Sequence, residues 1–323
     1  MYIILVTYGG FFGFGSCFVF FPTYLVIPSY FVKRRSFALG LLAMGPGGGL
    51  FVISSIVEAL LNVLHWRRTF MILAGLVVVI IPLVCTIRRV PNVEEQSASN
   101  GVEQKGTCCE RTLSPFRNKR FDVITLSMGL YYAVHYIPLV HMGRYCEDLG
   151  MSQTQASRLY LYSGLTSLLF RPVIGRLCDV QWIDACYVYQ LAAFINGVAT
   201  LLLPLARTYP HFVLYFVVWG FADGTNGCSV CVAIIACFTS KQRNIGLSVS
   251  FTITCVVAAA GPALGGLLAD ESGSYVPTFY MTGTVIVVSA AVILLLPFVK
   301  SKNQRIDSNS DEIFMVVEKC TAV

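Results

Sequence analysis

The segment from Tyr30 to Gly49 reads YFVKRRSFALGLLAMGPGGG. Its three consecutive basic residues, Lys33, Arg34 and Arg35, stand between two long apolar stretches. Basic residues beside apolar runs of about 20 residues are typical of the cytoplasmic ends of transmembrane helices. The glycines that follow would let a helix approach its neighbours closely inside a membrane. The segment therefore predicts a cytoplasmic loop that leads into a transmembrane helix.

Composition extends this prediction to the whole chain of 323 residues. Hydrophobic residues make up 56% and charged residues 12%, whereas a soluble domain carries about 25% charged residues. Nine apolar stretches are long enough to cross about 30 Å of hydrocarbon. They are approximately Tyr2 to Ile27, Phe37 to Val63, Phe70 to Ile87, Phe121 to Met142, Leu159 to Leu177, Ile183 to Leu205, Phe212 to Phe238, Ile245 to Leu268 and Val276 to Val299. The sequence predicts an all-α polytopic membrane protein.

A polar segment divides the predicted spans into unequal groups. Residues 1–87 would form a partial N-terminal bundle of three spans, and residues 121–299 a complete bundle of six. Residues 88–120, rich in Glu, Gln, Ser, Asn and Lys, predict a linker, and residues 300–323 form a tail. With loops assigned alternately to the two sides, 17 Lys and Arg residues share the linker's side and 5 lie opposite. This bias predicts that the linker and the tail are cytosolic.

The segment that begins at Tyr30 resembles the signature of the monocarboxylate transporter family, within the major facilitator superfamily. The matching residues are Tyr30, Phe31, Lys33, Arg34, Arg35, Gly40 and Gly45. Arg171-Pro172, followed by Gly175, Arg176 and Asp179, is similar to the family's helix eight and the conformational loop after it. The resemblance implies that the nine spans correspond to family helices four to twelve. It also implies a plasma-membrane carrier for small organic acids that works by alternating access.

Two departures from the family pattern affect this interpretation. Family helices one to three have no counterpart in the sequence, and many members use a helix-one lysine for binding and proton coupling. Proton-coupled members also carry an aspartate four residues before the helix-eight arginine, where this sequence has Ser167. Since serine does not titrate, the resemblance argues against the proton coupling that lactate carriers use.

Arg171 is the first candidate for substrate binding. A charged side chain within a span costs about 2.5 to 3.5 kcal/mol on insertion scales, so such residues usually face a cavity or a partner. The planar guanidinium could hold a carboxylate through two hydrogen bonds. The alternative is that the side chain extends to the inner headgroups, since Arg176 stands only five residues further on.

Three more polar residues inside the spans are candidates for the same site. Asp223 shares a helical face with three glycines, where a neighbouring helix would pack closely. It could carry a proton, act as counter-ion for Arg171, or remain neutral in a structural role. His135 could line the same cleft or simply bond to an adjacent helix. Tyr132 could offer a hydroxyl to a pocket or belong to an interfacial aromatic belt.

The C-terminus predicts a protein partner. Its last residues place Thr321 two positions before Val323, a pattern that adds as a strand to the edge of a PDZ domain. The family resemblance also raises an accessory single-span subunit as a partner. Basic residues cluster between apolar runs rather than on one polar face, so no nucleic acid is expected.

No cofactor, metal site or enzymatic activity is predicted. Cys228 and Cys231 have C-x-x-C spacing, but neither a second pair nor a histidine ligand lies nearby in the sequence. No nucleophile and base occur in a workable arrangement. The leading hypothesis is a carrier for small organic anions. The alternative is a non-transporting, truncated membrane protein that binds or modulates a full-length carrier.

Overall fold

The computed structural model describes residues 5–30, 35–85, 108–180, 182–238 and 240–298. These residues are predominantly helical and include no strand. Six of their helical segments are long and apolar enough to cross a membrane: Ser36–Ile53, Lys119–Asp148, Ala185–Leu205, Tyr209–Ala236, Gln242–Ser272 and Val276–Phe298. The predicted all-α membrane architecture is confirmed, while the number of nine spans stays a prediction.

The N-terminal part contains three long helices. A π-helical turn, Leu5–Phe12, leads into α1 (Gly13–Tyr30), which is followed by α2 (Arg35–Val63) and α3 (Trp66–Cys85). Phe31, Lys33 and Arg34 of the family signature lie outside the described residues, and so does most of the predicted linker. The linker's last part forms a short helix α4 (Cys108–Leu113) and a 3-10 turn (Ser114–Arg117).

The C-terminal part contains the remaining helices. They are α5 (Lys119–His135), α6 (Ile137–Asp148), α7 (Gln153–Cys178), α8 (Ala185–Leu202), α9 (Tyr209–Ala236), α10 (Ser240–Ser272) and α11 (Val276–Val292). Large aromatic side chains fill the interior of this part; those that are fully buried include Phe121, Tyr131, Tyr189, Phe212, Phe216 and Phe279. Thr321 and Val323 lie beyond the described residues.

The predicted span from Phe121 to Met142 is interrupted at Tyr136. Pro138 has no N–H to donate to the carbonyl of Val134, so the helix cannot continue unbroken through this point. The chain turns at Tyr136 and resumes as α6. Helix α10 packs against the break, where Gly261 lies directly against the carbonyl oxygen of Ala133. The break therefore gives α10 a close contact that a side chain at position 261 would prevent.

Helices α2 and α7 meet backbone to backbone. A Cβ added at Gly40 would lie 2.7 Å from the carbonyl oxygen of Arg171, and one at Gly164 would lie 2.7 Å from the backbone nitrogen of Phe51. Glycines thus permit this approach from both helices, as small residues do in membrane helix pairs. The contact joins the N-terminal part of the chain to the C-terminal bundle along much of α7.

Asp184 fixes the start of α8 and links it to α5. Its Oδ1 accepts the backbone N–H of Cys186 at 2.9 Å, and its Oδ2 accepts from Nη2 of Arg120 at 2.7 Å. Burial by itself would raise the pKa of this carboxyl, but the N–H and the guanidinium outweigh it and hold the pKa below its ordinary value. The carboxylate therefore serves as a helix cap and as an ion-pair partner.

Candidate functional site

Arg171 lies inside the helix assembly with only 6% of its surface exposed. Its Nη1 donates to the carbonyl oxygen of Ala43 on α2 at 2.7 Å, and its Nε donates to Oγ of Ser167 at 3.0 Å. Its Nη2 donates to Oδ2 of Asp223 on α9, also at 2.7 Å. The guanidinium thus connects three helices. The structure does not contain the alternative arrangement, in which this side chain extends toward the headgroups.

Asp223 accepts hydrogen bonds from three side chains. Besides the bond from Arg171, its Oδ2 accepts from Oγ of Ser167 at 2.8 Å, and its Oδ1 lies 3.2 Å from Nε2 of His135. The structure pairs Asp223 with Arg171, which is the geometry of a counter-ion, and the role of Asp223 stays a prediction. Ser167 occupies the position of the missing family aspartate, and the carboxylate reaches it from α9.

The glycines around Asp223 explain why the carboxylate reaches α7. A Cβ at Gly224 would lie 2.8 Å from the carbonyl oxygen of Ser167, and Gly220 lies directly against the carbonyl oxygen of Ser163. The glycine-lined face of α9 therefore packs on the backbone of α7, as the sequence predicts. Because Asp223 lies on this closely packed face, even its short side chain reaches Arg171.

His135 is completely buried and stacked between two aromatic rings. Its ring centroid lies 4.6 Å from that of Trp219, with 8° between the planes, and 4.7 Å from that of Tyr131. On the side opposite Asp223, its Nδ1 lies 3.5 Å from Nδ2 of Asn196. In the tautomer that carries its proton on Nε2, the ring donates to Asp223 and accepts at Nδ1 from Asn196. The bond to a neighbouring helix that the sequence allowed is present.

Tyr132, the fourth predicted residue, lies at the edge of this cluster. Its ring contacts those of His135 and Tyr131, with centroids 5.6 Å and 5.1 Å away. The structure thus brings all four predicted substrate residues into one group, which extends from α5 through α9 to α7.

The predicted conformational loop lies at one end of the α2 and α7 contact. Asp179 accepts the backbone N–H of Ser36 at 3.0 Å through Oδ1 and that of Phe37 at 3.1 Å through Oδ2. Gly175 packs beside it, since a Cβ there would lie 2.7 Å from the carbonyl oxygen of Ser36. Arg176 is exposed. Asp179 therefore caps the first turn of α2 and holds the two helices together at this end.

A second contact joins the N-terminal part to the bundle. Tyr24 of α1 is buried, and its ring centroid lies 6.0 Å from that of Phe251 on α10. Phe20 contacts the same ring at 6.4 Å. Helix α1 therefore meets α10 through aromatic side chains, while α2 meets α7 through glycines.

Three residues of the cluster were not among the predicted site residues. Ser167 is a departure from the family pattern in the sequence, and in the structure it bonds to both Arg171 and Asp223. Asn196 lies in an apolar span, where a buried amide is costly and therefore informative. Trp219 stands four residues before Asp223, which places it on the same helical face. All three signals can be read from the sequence.

A bundle of long apolar helices around a buried ion pair is the architecture of an α-helical membrane protein. The chain belongs to the Major Facilitator Superfamily, whose family model matches residues 1–183 and 124–318. Two solved structures share its fold. The fucose:proton symporter FucP of E. coli has a TM-score of 0.65 at 12% identity, covering 84% of this chain and 72% of that one. The proton:xylose symporter XylE has a TM-score of 0.60 at 14% identity, covering 86% and 67%.

Curated relatives confirm the predicted resemblance to monocarboxylate transporters. Monocarboxylate transporter 4 of Rattus norvegicus is 27% identical over 298 residues, which cover 90% of this chain and 63% of the relative. Monocarboxylate transporter 2 of Homo sapiens is 25% identical over 313 residues, covering 91% of this chain and 65% of the relative. The chain therefore spans less than two thirds of the length of these relatives.

Proposed function

We propose that this protein is a secondary carrier that moves monocarboxylates or other small organic anions across the plasma membrane by alternating access. The observation that carries the proposal is the bridging position of Arg171. Its guanidinium bonds to Asp223 in the C-terminal bundle and to the carbonyl of Ala43 in the N-terminal part. A cation between two units that move relative to each other is where a carrier needs its anion site.

Substrate binding would replace existing bonds of Arg171. A carboxylate that takes the place of the Ala43 carbonyl would accept a charge-assisted hydrogen bond from the guanidinium. In a bidentate arrangement it would accept two such bonds. Asp223 would stay beside the guanidinium, and Tyr132 would offer its hydroxyl from α5. The names of the curated relatives support monocarboxylates as the substrate class.

The conformational change would separate α2 from α7. Opening this contact breaks the bond from Arg171 to Ala43 and the cap that Asp179 provides to Ser36 and Phe37. The glycine contacts between the helices are broad but carry few directional bonds, which suits an interface that forms and opens repeatedly. The end with Asp179 would face the cytosol, because the basic triplet that ends at Arg35 precedes it.

Uptake by the purified protein in proteoliposomes tests the proposal. Radiolabelled L-lactate, pyruvate and acetate are offered, with empty liposomes as the baseline. Arg171→Lys keeps the charge but loses the planar fork, and it should reduce uptake about tenfold or more, because bonds to charged groups contribute about 1.5 to 3 kcal/mol. Arg158→Lys, at an exposed position of the same helix, is the matched control and should retain uptake.

The alternative function makes a different prediction for the same experiment. A modulator of a full-length carrier would leave uptake at the level of empty liposomes while the chain copurifies with that carrier from membranes. Such a result would replace the carrier proposal. The accessory subunit and a PDZ scaffold at Thr321 and Val323 are partners proposed on the sequence and the resemblance.

A further inference from the structure

The end of the C-terminal bundle that lies opposite Asp179 contains a cavity of about 400 Å³. The end of α6, the loop between α8 and α9, and the turn between α10 and α11 form its walls. Helix α7 starts near this cavity, shortly after Asp148, and runs for 26 residues, or about 39 Å, toward Asp179. Arg171 lies about 27 Å along this helix from its first residue. The cavity is therefore separate from the candidate substrate site.

Tyr145 contributes an unpaired hydroxyl to this cavity. The residue is only 6% exposed, and its ring packs edge-on against those of Phe279 and Phe212, with centroids 5.0 Å and 6.1 Å away. These contacts fix the ring, yet its hydroxyl makes no hydrogen bond to any residue that the structure describes. Buried polar groups usually have a partner, and one without a partner costs free energy. The hydroxyl of Tyr145 can therefore donate to a molecule in the cavity.

Arg207 adds a positive charge to the same cavity. It follows the 3-10 turn Leu203–Leu205 and lies within electrostatic range of the Tyr145 hydroxyl. Among the described residues, its guanidinium has neither an ion-pair partner nor a hydrogen-bond partner. The acidic residue of the lining, Asp148, lies 3.9 Å from Arg144 instead. A planar guanidinium beside a hydroxyl donor is suited to bind a carboxylate.

The remaining walls of the cavity are largely apolar. The turn between α10 and α11 begins at Gly273, whose φ of 66° is a left-handed conformation that glycine adopts without strain. This turn brings Tyr275 to the cavity, where its ring centroid lies 6.4 Å from that of Tyr145. Leu149 and Val276 add aliphatic surface. A bound molecule would therefore meet aromatic and aliphatic side chains beside its anionic group.

We propose that this cavity binds a monocarboxylate that carries an aromatic ring. The carboxylate accepts hydrogen bonds from Arg207 and Tyr145, and the ring packs against Tyr275. The volume lies within the range of small-molecule sites, which is about 300 to 1,000 Å³. A second carboxylate on the ligand would meet the negative charge of Asp148, so the site favours a single negative charge. The inference goes beyond the proposed function, because binding here requires neither Arg171 nor transport.

Binding of phenylacetate to the purified chain in phosphatidylcholine nanodiscs tests the proposal. Saturation-transfer difference NMR measures it, and a ligand of this size should bind with a Kd of about 1 mM. Arg207→Gln and Tyr145→Phe should each weaken binding about tenfold or more, because each removes a hydrogen bond to a charged group. Tyr145→Phe keeps the packed ring. Arg158→Gln removes a positive charge at another exposed position and should bind like the wild type.

Two related probes test the expected charge of the ligand. Phenylacetamide has nearly the same shape as phenylacetate but no charge, and its binding should be lost. Phenylmalonate carries one more carboxylate and should bind more weakly than phenylacetate. Asp148→Asn should reduce this difference, because it removes the negative charge that the second carboxylate meets. Equal binding of phenylacetate and phenylacetamide would overturn the proposal, since the cavity would then recognise only the ring.

The same probe can bind at the candidate substrate site, so the measurements are repeated in Arg171→Lys. In this variant, with its fold verified by thermal unfolding, binding of phenylacetate should persist and should still depend on Arg207 and Tyr145. Loss of binding in the folded Arg171→Lys protein, or unchanged binding in Arg207→Gln, would overturn the proposal. Binding through Arg207 in a protein that shows no uptake would leave this inference standing and count only against the carrier function.

A lipid headgroup is the other source of an anionic group at this end of the bundle. Nanodiscs that contain equal amounts of phosphatidylcholine and phosphatidylglycerol distinguish the two sources. Phenylacetate should still bind in these nanodiscs, with the same dependence on Tyr145. Loss of its binding there would assign Arg207 to a lipid phosphate and overturn the proposal.

Discussion

Nη2 of Arg171 and Oδ2 of Asp223 lie 2.7 Å apart, on helices separated by 30 residues of chain. Ser167 completes the arrangement, because its hydroxyl accepts from Nε of Arg171 and donates to the same carboxylate oxygen. A charge, its counter-charge and the hydroxyl between them thus form one unit.

Removing the counter-ion should be costly. Asp223→Ser leaves the buried guanidinium of Arg171 without a negative partner, which is expected to destabilise the protein by about 3 to 5 kcal/mol. Adding Ser167→Asp returns the carboxylate to α7, beside Nε of the same arginine, and should recover most of the loss. Thermal unfolding of the two single variants and the double variant gives the coupling energy. If the loss of stability in the double variant equals the sum of the losses in the two single variants, positions 167 and 223 do not act on Arg171 together.

Filling the space between α7 and α9 should separate these helices. Gly224→Ala places a methyl group where a Cβ would lie 2.8 Å from the carbonyl oxygen of Ser167, and overpacking of this kind costs about 1 to 3 kcal/mol. Gly129→Ala is the matched control, because no atom lies within 4 Å of a Cβ there. Unfolding in detergent should show a lower midpoint for the first variant only. Equal midpoints would mean that the helices shift without cost.

The cap at the start of α2 can be tested by hydrogen exchange. Asp179→Ala removes the acceptor of the Ser36 and Phe37 amides, a change that typically costs about 1 kcal/mol. These two amides should exchange faster while those in the middle of α2 change little. Asp148→Ala, at an exposed position, serves as the control. Unchanged exchange at Ser36 would show that the cap does not hold this end of the interface.

The ion pair at the start of α8 predicts a dependence of stability on pH. Because the pKa of Asp184 is lower in the folded protein than its ordinary value, its charge stabilises the fold above the unfolded-state pKa of about 3.9. This contribution is lost as the pH falls through the folded-state pKa. Asp184→Asn keeps a capping side chain but removes the charge. The variant should be less stable than the wild type at pH 7, by about 1 kcal/mol or less for so exposed a pair.

The comparison with the wild type at low pH completes this test. Once the carboxyl of Asp184 is protonated, both proteins carry a neutral side chain at this position, so their stabilities should converge. A difference that is the same at both ends of the pH range would indicate that the pair with Arg120 contributes nothing through its charge. Chemical unfolding at a series of pH values provides the measurement.

Some features of the site could be predicted from the sequence because they cost free energy inside a membrane. A charge such as Arg171 within an apolar span is costly to insert, so its presence indicates a partner or a cavity. Glycines spaced along one face of α9 indicate a close neighbour, and the structure confirms this at Gly220 and Gly224. The long apolar runs themselves indicate helices, since only internally bonded backbone is stable in lipid.

Other features depend on how the helices are rotated and paired. Asp223 bonds to Arg171, which lies 52 positions earlier in the chain, and the same carboxylate is met by His135, 88 positions earlier. Contacts over such separations are decided by the fold. Ser167 illustrates the difference: in the sequence it marks the absence of an acidic residue, and in the structure it accompanies an acidic residue from another helix. Likewise, the sequence predicts one span from Phe121 to Met142, and only the fold shows the break at Tyr136 with α10 packed against it.

The sequence by itself determined the chemistry that is present: long apolar helices, one deep arginine, and a small number of acidic and polar residues buried with it. Its apolar periodicity and insertion costs act along the chain, so they can be evaluated without a fold. The tertiary structure alone decided which of these groups meet. Close approach of α2, α7 and α9 at their glycines brings Arg171, Asp223 and His135 within hydrogen-bond distance. At such short range, the attraction between buried charges outweighs the conformational preferences of any single helix.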